Sequence, residues 1–295
     1  MQPRSQRTIV HPAELSGVGF FTGADVRVRF LPANEDAGIA FLRTDVSGAE
    51  PIPALIEYTV PRFRRTAIER RGVSVELIEH VMAALAGLRI DNCLVEINAP
   101  EPPGLDGSCL AFAEALWDAG IVEQSSPRQT LIVPAEGIVR SDHGADEIVA
   151  RPTATGGLTV GYQLDYGDDS FIPPQSYAVT LTPETFLREV AFARTFILES
   201  EVKYLQSQGY GLRTTARDLL IFGPRGVIDN SLRAADECAR HKVLDCIGDL
   251  ALIGCDVVGE VRAFRSGHRL NAELVRHLKQ IDNQAVTLRM LRRVA

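Results

Sequence analysis

The chain has 295 residues, of which 45% are hydrophobic and 23% charged. That is the make-up of a soluble globular protein, and the length suits two domains better than one core. No run approaches the ~20 apolar residues that cross a bilayer, and a net charge of −7 argues against a nucleic-acid binder, which needs a basic surface to displace counterions. A small anion held in a local basic pocket stays compatible with that charge.

The opening stretch MQPRSQRTIVHPAELSG lacks the apolar core of a signal peptide and carries no acylation motif. A cytoplasmic protein without a stable membrane anchor is therefore expected. The five cysteines, Cys93, Cys109, Cys238, Cys246 and Cys255, form no C-x-x-C pair, which suits a reducing compartment and buried free thiols.

Along the chain, residues 8 to about 60 read as strands and turns. VRVRFLP (Val26 to Pro32) alternates as a half-exposed strand does. A helix is expected over Val75 to Ala86, with Ile78, Val81, Met82, Leu85 and Leu88 at helical spacing and Gly87 as its stop. CLVEINA follows as a strand, and Leu110 to Gly120 as an amphipathic helix ending on glycine. The polar run EQSSPRQ (Glu123 to Gln129) reads as a linker and divides the chain into domains at 1–124 and 128–295.

The second half repeats the theme. TLIVP and LTVGYQLDYG read as strands, and TPETFLREVAFA starts a helix with Thr182 and Glu184 in its first turn. A long helix is expected over Asp236 to Ile253, then the strand DVVGEVRAFRSG and a helix over Asn271 to Gln280. IEHVMAALAGLRIDNCLVEI and RHKVLDCIGDLALIGCDVVGEV are both helix–glycine–strand units with an early histidine. This points weakly to a duplicated unit, with a site where the two halves face each other.

His241 and Asp245, four residues apart on a helix, leave the same face about one turn apart, with Asp249 a turn further on. That spacing lets an imidazole and a carboxylate share an ion, although alone it also describes an ordinary exposed ion pair. His80 is the best third donor: it follows Glu79 in an apolar helix, where burial of the pair is costly unless compensated. Two histidines and one carboxylate make a typical catalytic zinc set, and the same donors admit Fe(II), Co(II) or Mn(II). Cys238 is a rival ligand and reads better as core.

IEHVMAALAGLRIDN, EPPGLDGS, ARTF, RHKVLDCIGDLALIGCDVVG and RSGHRLN stand here in one order. In that order they resemble the UDP-3-O-acyl-N-acetylglucosamine deacetylases of lipid A synthesis, from about Arg7 to about Leu278. The resemblance implies Zn2+ on His80, His241 and Asp245, Glu79 as general base, and His268 as general acid oriented by Asp249. It also implies that Lys242, Thr195 and Phe196 contact substrate or the developing oxyanion.

The implied fold is α+β. It has two similar domains, each a mainly antiparallel sheet packed against two helices, with the active site between them. An insert near 196–231 would form a channel for the acyl chain. The implied partner is an acylated UDP-amino sugar, with no nucleic acid, and a monomer is expected. Two departures stand out: Phe21 occupies the family's usual histidine in SGVGFFTG, and Ile197 its usual glycine after ARTF, where a positive φ would be costly for a branched residue.

The residues also admit two rival readings. One is a related zinc amidase acting on an N-acetylated sugar nucleotide without a long acyl chain. The other is a non-catalytic binding protein of the same fold, against which the presence of Glu79, His80, His241, Asp245 and His268 counts.

Overall fold

A computed structural model describes residues 3–154 and 156–294, with side chains described as far as residue 281. Two sheets of matching design dominate it. In the first half the strand order is Ala13–Val18, Asp25–Pro32, Cys93–Ile97, Ile39–Arg43, Ile52–Pro53. In the second it is Gly137–Arg140, Glu147–Arg151, Asp256–Phe264, Leu158–Leu164, Gln175–Thr180, with Thr130–Ile132 also paired to Asp256–Phe264.

In each sheet the strand after the main helix pairs antiparallel on one side and parallel on the other. Helix α1 (Glu79–Gly87) precedes Cys93–Ile97, and helix α5 (Glu237–Ala251) precedes Asp256–Phe264. The two helix–strand segments alike in sequence thus hold equivalent places in an α+β fold. The other described helices are α2 (Leu110–Asp118), α3 (Pro183–Glu189), α4 (Glu199–Ser207) and α6 (His268–Val294). Helix α3 starts on a Thr182 cap reciprocated by Thr185.

Helices α1 and α5 pack against each other, and almost every side chain of both is buried. Nonpolar faces from both sheets close over them into one continuous core, which supplies the main driving force for keeping the halves together. Polar ties add to this. Arg4 bonds both Asp91 and Asp256, at the heads of the two central strands, and Arg128 reaches the same two carboxylates. Asp106, in the LDGS turn before Gly107 (φ +83°), pairs with Arg233.

Three expectations are corrected. The helix begins at Glu79, not Val75, because Val73–Glu76 pairs as a strand with Ala67–Arg70. The β-branched run favours that pairing, and Leu77 at φ +57° breaks the chain between strand and helix. Gly87 is the last helical residue and not a left-handed stop. A Cβ there would lie 2.3 Å from the Phe186 ring, and the left-handed residue is Arg89, φ +57°.

The polar run at 123–127 is not a loop. Ile121–Pro127 is a strand antiparallel to Ser5–Ile9, and its polar side chains have partners: Gln124 meets Asn92, and Ser126 meets Glu35.

Each half carries a small insertion. Thr59–Val60, Ala67–Arg70 and Val73–Glu76 make a three-stranded sheet in the first. In the second, Phe196–Leu198, α4, Leu220–Gly223 and Gly226–Val227 fill the expected 196–231 segment. Ile197 sits in a strand opposite Ile221, so no positive φ is required of it. Among the described residues no helix is long and apolar enough to cross a membrane.

Candidate metal centre and active-site cleft

The first turn of α1 and the middle of α5 meet at a cleft of about 690 Å³. Their approach is set by Gly248, where a Cβ would stand 2.1 Å from the Glu79 carbonyl oxygen. Only glycine lets the two backbones come so close, and that contact brings α1's Glu79 and His80 to α5's His241, Asp245 and Asp249.

His80, His241 and Asp245 are buried and each offers one donor atom, all within 4.8 Å of one another. The Nε2 atoms of His241 and His80 lie 3.4 Å and 3.8 Å from Asp245 Oδ1, and the two rings stand edge to face. His241 Nδ1 is 3.1 Å from the Ala193 carbonyl, which can only accept, so Nδ1 carries the proton and Nε2 presents its lone pair to the group. Lys242 Nζ binds Asp245 Oδ2 at 2.6 Å, leaving Oδ1 to face the histidines.

Electrostatics sharpen this arrangement. Burial, then the neighbouring His241, hold His80 down to about 3, and burial likewise lowers His241. Both imidazoles are thus neutral donors. Burial alone would raise Asp245, but the positive charge around it, Lys242 bonded to Oδ2 included, outweighs burial and keeps the carboxylate ionised. Burial also works against a charged Lys242, and Asp245 more than offsets it. Two neutral nitrogens and one anionic oxygen, none engaged by another protein donor on the inward side, fit a divalent cation. Cys238 is outside this group, buried, with its thiol pushed up to about 12 chiefly by burial, and so is core as expected.

Beside the donors stands a second set. Burial, reinforced by Asp249 and Asp245, raises Glu79 to about 7. His268, the first residue of α6, places Nε2 3.6 Å from Glu79 Oε1 and Nδ1 2.9 Å from Asp249 Oδ2. Burial opposes its charge, but Asp249 and then Glu79 prevail and raise it to about 9. A carboxylate and an imidazolium with such displaced affinities are suited to exchanging protons with a bound molecule.

The cleft wall includes Glu79, His80, Thr195, Phe196, His241, Lys242, Asp245 and His268, while Asp249 lies one layer behind His268. All nine residues singled out in the sequence thus come together. The Phe196 and His241 rings stand edge to face, with centroids 6.0 Å apart. Phe21 lines the cleft between the Arg65 guanidinium, 4.2 Å over its ring, and Tyr210 of the insertion. Its loop is pinned by the buried Glu101 carboxylate, which accepts from the Phe21 and Thr22 backbone N–H groups.

Two residues were missed by sequence reading. Arg194 of ARTF forms a buried pair with Glu237 and also holds Ser231, tying both ends of the insertion to the start of α5. Thr66 touches Glu79, Asp249 and His268 at once. The ARTF motif marks the place of Arg194 but not its role, and Thr66, after RFRR, looks like a surface residue.

Two matched α+β halves with a buried two-histidine, one-carboxylate group on their facing helices define the class: an α+β protein with a candidate hydrolytic metal centre between its halves. The chain belongs to the UDP-3-O-acyl N-acetylglycosamine deacetylase family, whose model matches residues 6–280. It is 38% identical over 280 residues to the UDP-3-O-acyl-N-acetylglucosamine deacetylase of Myxococcus xanthus, covering 94% of this chain and 87% of that protein. The similarly named protein of Syntrophus aciditrophicus is 33% identical over 287 residues, with 97% and 90% covered. The bifunctional enzyme LpxC/FabZ of Chlorobaculum tepidum is 38% identical over 302 residues. That match covers 93% of this chain, which spans only 64% of the bifunctional protein's length.

Proposed function

We propose that this protein is a cytoplasmic, zinc-dependent amidohydrolase that removes the N-acetyl group from UDP-3-O-(3-hydroxyacyl)-N-acetylglucosamine, releasing acetate, in lipid A biosynthesis. The carrying observation is the buried His80–His241–Asp245 group with Glu79 on one flank and the His268–Asp249 pair on the other. Family membership supplies the substrate class. We also place the boundary between the two halves after the strand that ends at Pro127.

Zn2+ held by those three donors would supply Lewis acidity to the acetyl carbonyl and acidify water. Glu79 takes the proton of the attacking water. Thr195 and Lys242, on the cleft wall, stabilise the negative oxygen that develops on the former carbonyl. Imidazolium His268, with Nδ1–H held by Asp249, delivers a proton from Nε2 to the departing nitrogen, so the amine leaves neutral. Ile197, Val202, Leu205, Leu219 and Ile221 give the insertion's side of the cleft an apolar wall that suits an acyl chain. Arg265 and Arg269, which line the same cleft, suit a diphosphate.

The test compares acetate release from acylated and unacylated UDP-N-acetylglucosamine. Strong preference for the acylated substrate supports the reading. Equal rates would move it to an amidase of simple sugar nucleotides.

A further inference from the structure

The pair His268–Asp249 is held by a residue from a third element. Thr66 lies in the first insertion, immediately before the strand Ala67–Arg70, and is buried. Its hydroxyl hydrogen can point to only one acceptor, and the close partner is Asp249 Oδ1. Its oxygen lies 3.1 Å from His268 Nδ1, whose proton is shared with Asp249 Oδ2 at 2.9 Å. The Thr66 backbone N–H also donates to Glu79 Oε2 at 3.1 Å.

With Asn271 Nδ2 donating to Asp249 Oδ2 at 2.8 Å, both carboxylate oxygens of Asp249 are fixed, one by Thr66 and one by His268 and Asn271. The hydroxyl closes a ring of three groups in which each is both oriented and orienting. In a buried site an unfixed carboxylate and imidazole would sample other rotamers, and misplacement of an acid by an ångström is costly to rate. Thr66 touches no cleft space itself; it is absent from the wall that Glu79 and His268 form.

We infer that Thr66 is a positioning residue for the acid–base pair, locking His268 with Nδ1 protonated and Nε2 aimed at the cleft while its backbone steers Glu79. This rests on the acid–base reading of the site given above. The first insertion is then a structural part of the proton-transfer apparatus and not only a cleft wall.

The test uses Thr66→Val, which keeps shape and removes the hydroxyl, and Thr66→Ser, which restores it. Thr66→Val is expected to lower kcat about tenfold or more, since a hydrogen bond to a charged group is lost. KM and metal stoichiometry should stay unchanged, and Thr66→Ser should recover most of the rate. In a His268→Ala background Thr66→Val should cost nothing further. A loss confined to KM, or one that multiplies with that of His268→Ala, would overturn the inference.

A second arm needs no turnover. Imidazole nitrogen and proton NMR of isotope-labelled protein should show a hydrogen-bonded His268 Nδ1–H in the parent and in Thr66→Ser, exchange-broadened in Thr66→Val. An unchanged spectrum in Thr66→Val would contradict the positioning role. A parent inactive on the acylated substrate would defeat the proposed function alone, and this spectrum would still decide the role of Thr66.

Discussion

Gly248 of α5 lies against the carbonyl of Glu79 in α1, so the residue that sets the helix crossing also sets the separation of the two ligand-bearing faces. Gly248→Ala would place its Cβ inside contact distance of rigid backbone, and the helices must part. A cost of about 1–3 kcal/mol in stability is expected, as for other overpacked cores. Metal affinity should fall with it, because His80 moves away from His241 and Asp245. Thermal melts with and without metal check this; an unaltered melt would mean the crossing can relax without harm.

Asp245→Ala removes the one anionic donor of the buried group and leaves the half-buried Lys242 without its carboxylate partner. Metal binding, measured by elemental analysis after dialysis, should be lost or strongly weakened. Full stoichiometry in this variant would mean that another residue supplies the third ligand.

The rate should depend on pH as a bell. In the proposed steps Glu79 is ionised and His268 protonated, so the acid limb follows Glu79, raised to about 7 by burial, and the alkaline limb His268, raised to about 9 because Asp249 and Glu79 outweigh burial. A bound divalent cation draws both limbs lower. Replacing His268 by Gln should abolish the alkaline limb and leave the acid one.

The same displaced affinities make a prediction about stability. Glu79 binds its proton more tightly folded than unfolded, so its contribution is most favourable at acid pH and is lost as pH rises through about 7. Glu79→Gln should therefore raise the Tm of the metal-free protein above neutrality relative to the parent, with little difference in acid. His268 is also raised, so its stabilising share is full below its ordinary value of 6.5 and is lost as pH rises through about 9.

Arg194→Met leaves Glu237 as an unpaired carboxylate with no exposure to water. Breaking such a pair from one side costs about 3–5 kcal/mol, and the insertion should loosen from α5. Urea unfolding measures the loss; a change within about 0.5 kcal/mol, as for surface sites, would show that the pair is not holding the insertion.

Much of this organisation is legible in the sequence because a helix repeats chemistry at fixed spacing. His241, Asp245 and Asp249 fall on one face by arithmetic, and Glu79–His80 stand out because charge in an apolar run demands a partner. The helix–glycine–strand repeat likewise pointed to two matched units, which the two sheets display.

Legibility ends where long-range pairing decides. Residues 123–129 look like a linker by composition, yet 121–127 are a strand because Ser5–Ile9 is there to pair with them. Val75 carries helical spacing but lies in a strand, since its partner Ile68 and the left-handed turn at Leu77 override local periodicity. Gly87 reads as helix punctuation, and nothing local marks Gly248. Each is required by a neighbour distant in sequence, the Phe186 ring and the Glu79 carbonyl. Thr66 acquires its contacts from three separate elements, which no local pattern encodes.

The central claim is that the donor group and Glu79 together make an amide-cleaving centre. The direct measurement is acetate release from UDP-3-O-(3-hydroxyacyl)-N-acetylglucosamine by zinc-loaded parent and zinc-loaded Glu79→Ala. The account predicts turnover by the parent and a loss of about 10²–10⁴-fold in the variant at equal metal content, the range expected for removing a general base. Acetate release by Glu79→Ala at the parental rate, or none from a folded, metal-loaded parent, would contradict it.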